Sequence, residues 1–472
     1  MLYTKCYTKK EKMDMDIKYT TKNGWEAASA EDKQKVYPFC EEYKKFMDSA
    51  KTEREAVVKT IELAKANGFK SIDEFATLGH GDKIYINNRD KSVMLVVLGE
   101  DSTKGLNIVA AHIDSPRLDL KQNPLYEDTD LALFKTHYYG GIKKYQWTTI
   151  PLALHGVVVK GDGSKVNVVI GEDEGDPVFC ITDLLPHLAE DQMKKTMREG
   201  IAGEGLNILI GSKPATVEKD KVKTAILDLL NQKYGIVEED FISAELEAVP
   251  AAKARDIGFD RSMVGAYGQD DRVCAYTALA GILEVQKPVK TAVCVLADKE
   301  EVGSMGNTGM KSRFFEDTIA KILSMEKDGY SDLLLRKTFA NSTCLSADVA
   351  AAIDPNYKDV SEALNSPKVN HGIVITKYTG SRGKAGSSDA SAELVGLIRK
   401  LFNDNNVIWQ TGELGKVDQG GGGTVAQYIA NLNIETIDCG TALLSMHSPF
   451  EVAGKMDIYM TYKGYKAFYL MD

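Results

Sequence analysis

Four times the chain repeats one pattern: an apolar run of strand length that delivers a His, Asp or Glu at or just past its end. The four are LNIVAAHIDS with His112, TAVCVLADKEE with Glu300 and Glu301, TCLSADVAAAIDP with Asp348, and IETIDCGTALLSMHSP with His447. Runs of Val, Ile, Leu and Ala without polar alternation predict strands buried on both faces. In open sheets of that kind ligands bind beyond the carboxyl ends of the strands. SVMLVVLGE adds a further buried strand. Helical stretches fall between the strands, among them DRVCAYTALAGILEVQK. In DASAELVGLIRKLFNDNN, Leu394, Val395, Ile398, Leu401 and Phe402 share one face. Residues 29–75 also read as helical, with Thr52 and Glu55 spaced as a capping box and a stop at Asn67-Gly68. The expectation is an α/β fold with an α/β/α sandwich.

A chain of 472 residues exceeds one ordinary core. Residues 120–250 change character, with short alternating strands, Gly/Asp turns such as Gly161-Asp162-Gly163, and one helix carrying Val222, Ala225, Ile226, Leu229 and Leu230. We therefore expect a β-rich domain at 120–250 inserted into a catalytic domain formed by 1–119 and 251–472. The net charge of −10 argues against nucleic-acid and anionic-membrane partners. No apolar run approaches the ~18–20 residues of a membrane span. The first 24 residues carry Lys but no apolar core, and read as a polar lead-in rather than a signal peptide. Seven scattered cysteines without a C-x-x-C pair fit reduced thiols in the cytoplasm.

A lone His at a strand end is more often structural than a ligand, and a lone Asp beside Gly is more often a turn former. The set carries more weight. His112, Asp114, Asp270, Glu300, Glu301, Asp348 and His447 all fall in expected loops or at strand ends. Imidazoles and carboxylates without thiolates are the ligands of a hydrolytic zinc or manganese site, not of a structural zinc site. Asp114, two residues after His112, is placed to reach the ring nitrogen that does not face a metal. In GQDDRV, Asp270 is placed to bridge two metals with its two oxygens, whereas Asp271 reads as a helix cap.

The segments AAHIDSPRLDLK, YGQDDR, DKEEVGS, SADVAAAIDPNY and MHSPFEV, with LLPHLAED inside the expected insertion, resemble the aspartyl aminopeptidase family of metallopeptidases in order and spacing. The resemblance implies two divalent ions, Zn²⁺ in the first instance and Mn²⁺ or Co²⁺ as alternatives. It implies that His112 and Asp348 hold one ion, Glu301 and His447 the other, and that Asp270 bridges them. Glu300 would be the general base and Asp114 would orient His112. It further implies short peptide substrates with a free N-terminus, and dimers assembled into a tetrahedral dodecamer in which His187 reaches a neighbouring subunit's site.

The family name implies an acidic N-terminal residue, for which Lys384 or Arg382 in TGSRGKAGSSDASAE is the candidate receptor. That loop and the glycine-rich DQGGGGTVAQ depart from the usual family pattern, so the expected specificity is broader than acidic residues. Two other readings compete: a deacylase or carboxypeptidase of the wider clan, and a non-catalytic metal-bearing scaffold. LLPHLAED and the motif order favour the aminopeptidase over the first, and an intact ligand set with Glu300 disfavours the second.

Overall fold

A computed structural model describes residues 17–327 and 329–472. Most of the polar lead-in, residues 1–16, lies outside the described residues. The described residues form a mixed α/β structure with three sheets. Across the nine-stranded sheet the order is Lys70–Ser71, Lys83–Asn88, Ser92–Val97, Thr291–Ala297, Leu106–His112, Thr343–Ser346, Glu435–Gly440, Ile373–Thr376 and Trp409–Thr411. Its four middle strands, Thr291–Ala297 to Glu435–Gly440, run parallel. Their carboxyl ends therefore share one edge.

Both faces of this sheet are covered, which is why its strands are continuously apolar. Val93, Leu95 and Val97 pack into one core; Met94, Val96 and Leu98 pack into another. The first core is closed by helices Ala30–Ser49, Glu53–Ala66, Gln269–Leu283, Ala392–Asp404 and Lys455–Tyr469, and the second by Phe314–Glu326 and Asp332–Ala340. The capping box at Thr52 and Glu55 forms. On Ala392–Asp404 the expected face is inward: Leu394, Ile398 and Phe402 are buried, and Ser391 caps the helix through the Leu394 N–H. The helical reading of 29–75 overran. Two helices, Ala30–Ser49 and Glu53–Ala66, are followed by a short strand and a 3-10 turn.

A six-stranded antiparallel sheet takes its strands from Arg117 to Pro250 and has its own core around Leu118, Phe134, Trp147, Leu154 and Leu246. Helix Lys221–Tyr234 packs on it through Val222, Ile226 and Leu230, while Leu229 faces solvent at 61% exposure. A third, five-stranded sheet was not foreseen. It comprises Arg255–Ile257, Met263–Ala266, Glu451–Gly454, Ala442–Leu444 and Ala350–Ala351. IETIDCGTALLSMHSP, read as one segment, is split between Glu435–Gly440 of the large sheet and Ala442–Leu444 of the small one. The chain changes sheets at Gly440, where a Cβ would stand 2.0 Å from the Asp348 carbonyl oxygen. Apolar character reports burial, not which sheet a strand joins.

Candidate metal centre

Three neighbouring strands of the large sheet each present a polar side chain at the shared carboxyl edge. His112 is the last residue of Leu106–His112. Glu300 and Glu301 open the 3-10 turn that follows Thr291–Ala297. Asp348 lies two residues past Thr343–Ser346. The small sheet supplies the remainder: Asp270 comes from the turn after Met263–Ala266, and His447 from the loop between Ala442–Leu444 and Glu451–Gly454.

The carboxylate of Asp270 lies between the two imidazoles. Its Oδ1 is 3.2 Å from His112 Nε2 and its Oδ2 is 3.1 Å from His447 Nε2. Two ligand groups result, His112–Asp270–Asp348 and Asp270–Glu301–His447, and within each the donor atoms lie within 4.8 Å of one another. His447 Nε2 is 3.5 Å from Glu301 Oε1, and Glu300 Oε2 is 3.9 Å from His112 Nε2.

Two buried carboxylates hold this arrangement from behind. Asp114 Oδ1 lies 3.3 Å from His112 Nδ1, which also donates to the Asp114 carbonyl at 3.0 Å. The same Asp114 carboxylate accepts the backbone N–H groups of Glu300 and Glu301, both at 3.1 Å, and the Tyr139 hydroxyl at 2.8 Å. Glu451 accepts the N–H of Asp270 at 3.0 Å and that of His447 at 2.7 Å. His447 Nδ1 donates to the Gly141 carbonyl at 2.8 Å. Each histidine thus uses Nδ1 to fix its ring and turns Nε2 to the site.

Glu451, Tyr139 and Gly141 were missed in the sequence. Glu451 had a faint signal, a lone acid in an otherwise apolar strand; Tyr139 and Gly141 had none. Asp271, expected to cap a helix, instead accepts the His112 N–H at 3.4 Å. No side-chain cap bond is made at the start of Gln269–Leu283, where Asp270 and Asp271 are not helical in φ and ψ.

The electrostatics fit cations. Burial, with Asp270 adding, pushes the Glu301 carboxyl well above the usual range. Burial, with Asp271 adding, does the same to Asp348, and burial raises Glu300. Burial opposes ionisation of Asp270 too, but the hydrogen bonds to His112 and His447 outweigh it and hold that carboxyl low. Burial likewise opposes the charge on His447, yet the bond to Asp270 lifts the imidazole to about 10. Glu301 Oε1 is buried with no hydrogen-bond partner among the described residues. Packed acids, one with an orphaned oxygen, suit positive ions that take up their charge. The donor set, oxygen and imidazole without sulfur, suits zinc with a position left for a reactant.

The two other expected residues lie apart from this cluster. Lys384 Nζ pairs with Asp389 at 2.8 Å and sits 3.7 Å from the centroid of the Tyr378 ring. His187 is exposed on the 3-10 turn Pro186–Leu188, with exposed Leu184, Leu185 and Leu188 beside it.

Two candidate ligand groups that share one carboxylate at the carboxyl edge of a parallel sheet have the donor chemistry of a hydrolytic metal centre. Residues 46–469 match the family described as aminopeptidase I zinc metalloprotease, M18. A relative named "Probable M18 family aminopeptidase 1" from Clostridium acetobutylicum is 54% identical over 463 residues, covering 97% of this chain and 99% of its own. The crystal structure of an M18 aminopeptidase from Thermotoga maritima superposes with a TM-score of 0.92 at 47% identity, covering 96% of this chain and 99% of that one. A structure of the yeast mApe1 dodecamer shares the fold at a TM-score of 0.75 and 21% identity, over 91% of this chain and 96% of that one. The chain belongs to the M18 family of zinc aminopeptidases, which are peptide hydrolases. Among the described residues no helix is long and apolar enough to cross a membrane.

Proposed function

We propose that this aminopeptidase removes N-terminal residues from short peptides with a pair of divalent ions, zinc in the first instance. His112 and Asp348 would hold one ion, Glu301 and His447 the other, and Asp270 both. One observation carries the reading: the two oxygens of Asp270 face the two imidazoles at 3.2 and 3.1 Å. When bound, the ions supply Lewis acidity that polarises the scissile carbonyl and acidifies water.

The chain's own groups do the rest. Glu300 takes the proton from the attacking water and gives it to the departing amine. Its carboxyl is raised by burial, which brings its basicity closer to that of a group able to accept and return a proton near neutrality. Asp114 fixes the His112 ring and, through two backbone N–H groups, the turn that carries Glu300 and Glu301. The substrate's free α-amine is received on the carboxylate side of the site, which restricts cleavage to the end of a peptide.

Tyr139 is a positioning residue in this scheme. Its ring lies under the Arg117 guanidinium at 4.0 Å, and Arg117 is held by Glu53 and Glu247. Tyr139→Phe removes one of the donors to Asp114 and should weaken zinc binding by about 10-fold, the lower end of what losing such a partner costs. Chelator competition reads that affinity directly. A Tyr139→Phe enzyme with unaltered zinc affinity would remove the residue from the scheme.

In architectural terms we read the nine-stranded sheet and its helices as an α/β/α sandwich, and 120–250 as an inserted domain that mediates assembly. The supporting observation is an exposed apolar surface on that segment. Leu184, Leu185, Leu188, Met193 and Met197 are 53, 49, 70, 77 and 68% exposed. A dodecamer built from dimers would cover it and bring His187 to a neighbouring site, as the resemblance implies. The six free cysteines among the described residues fit a cytoplasmic enzyme.

The test is release of a leucine chromogenic group with and without chelator. Activity should vanish on chelation and return with Zn²⁺, Mn²⁺ or Co²⁺. Activity indifferent to chelation would defeat the reading.

A further inference from the structure

We propose that the enzyme prefers peptides whose N-terminal side chain is cationic, Lys or Arg, over those that begin with Asp or Glu, and that Glu413 sets this preference. The proposal rests on the two-metal aminopeptidase reading. Its basis is the charge lining the cavity that opens from the candidate ligands.

That cavity, about 560 Å³, runs from Asp270, Glu301 and His447 to a far wall that includes Thr376, Glu413, Thr424 and Asp438. Among the described residues no Lys or Arg lines it. Bound ions take up the charge of the ligand carboxylates, but Glu413 and Asp438 belong to neither ligand group. Glu413 follows the strand Trp409–Thr411, is half-buried, and is held by the Tyr378 hydroxyl at 2.6 Å. Asp438 is 3% exposed; its Oδ1 accepts the Thr424 hydroxyl at 2.6 Å, and its Oδ2 has no hydrogen-bond partner among the described residues. Neither carboxylate is in an ion pair among the described residues.

The local cations lie on the other side of a partition. Arg382, Lys384 and Lys416 line a separate cavity of about 50 Å³ that shares Thr379, Glu413 and Leu414 with the larger one. Lys384 is already paired with Asp389, as is Lys377 at 2.5 Å. An acidic side chain would have to pass Glu413 to reach Arg382 or Lys416, and would compete with Asp389 for Lys384. Inside the main cavity it would face carboxylates with no counter-ion, an arrangement that costs free energy. An ammonium or guanidinium entering the same space would find a charged acceptor in Glu413.

The experiment uses the zinc-loaded full-length enzyme in its native assembly, with Lys-, Arg-, Leu-, Asp- and Glu-aminomethylcoumarin substrates. The kcat/KM for Lys should exceed that for Glu by at least ~10-fold, equivalent to about 1.4 kcal/mol. Glu413→Gln should lower the Lys-to-Leu ratio of kcat/KM by roughly tenfold, and Glu413→Asp should keep the order of preference. Damage to the fold would lower all substrates together and leave that ratio unmoved. Preference for Asp or Glu, equal turnover of Lys and Glu, or an unmoved ratio in Glu413→Gln would overturn the proposal while leaving the aminopeptidase intact. Absence of metal-dependent release from every substrate would overturn both.

Discussion

Glu300→Gln should keep its zinc and lose turnover by about 10²–10⁴-fold, the usual worth of a general base. The amide is nearly the shape of the carboxylate but cannot take a proton. The turn should survive the change, because it is held through the backbone: the N–H groups of Glu300 and Glu301 both donate to Asp114 at 3.1 Å. Glu300 also stands outside both ligand groups, so removing its charge leaves the donors to the ions in place. The decisive pair of measurements is zinc per protomer by elemental analysis and kcat on a good substrate. Full zinc with near-wild-type kcat would strip Glu300 of its role. Loss of zinc together with loss of kcat would move it from base to ligand.

Asp270→Ala should do the reverse and empty both positions. Asp270 is the one residue common to the two ligand groups, and its oxygens point at different imidazoles. Asp348→Ala or His447→Ala removes a donor from one group only. The Asp270 variant should therefore lose more affinity than the ~10–100-fold that an outer partner costs, and its activity should fall to background. Metal content distinguishes the cases: near zero for Asp270→Ala, and partial occupancy for the two others. Two equivalents of zinc retained by Asp270→Ala would refute the bridge.

The placement of these residues follows from different levels of the chain. His112 ends one strand, and the Glu300–Glu301 pair and Asp348 follow the strands on either side of it. Their apolar runs were legible because a strand covered on both faces must be apolar along its length. His447 was legible as a residue at the end of such a run, yet its strand belongs to another sheet. The inward face of Ala392–Asp404 and the cap at Thr52 were equally readable, since both depend on neighbours a few residues apart. The helical reading beyond Ala66 failed where a short strand pairs with Lys83–Asn88.

Lys384 shows the limit for specificity. A basic residue in a loop near the site reads as a receptor for an acid, but its partners Asp389 and Tyr378 are local and claim it. The cavity that opens from the candidate ligands is lined by Glu413 instead, which no motif marks.

By itself the sequence determined the α/β character, the family, and the inventory of imidazoles and carboxylates that gather at the sheet edge. Those are properties of residue type and of short spacing, and hydrophobic burial and metal-ligand chemistry act on them directly. Tertiary structure alone decided which strands lie side by side, that a third sheet carries Asp270 and His447 over the edge of the first, and that Glu451 and Tyr139 join Asp114 behind the cluster. Contacts such as Tyr139 to Asp114, or Glu451 to Asp270, join residues 25 and 181 positions apart. Only the packing of complete sheets brings such pairs within hydrogen-bond distance, and local sequence carries no mark of it.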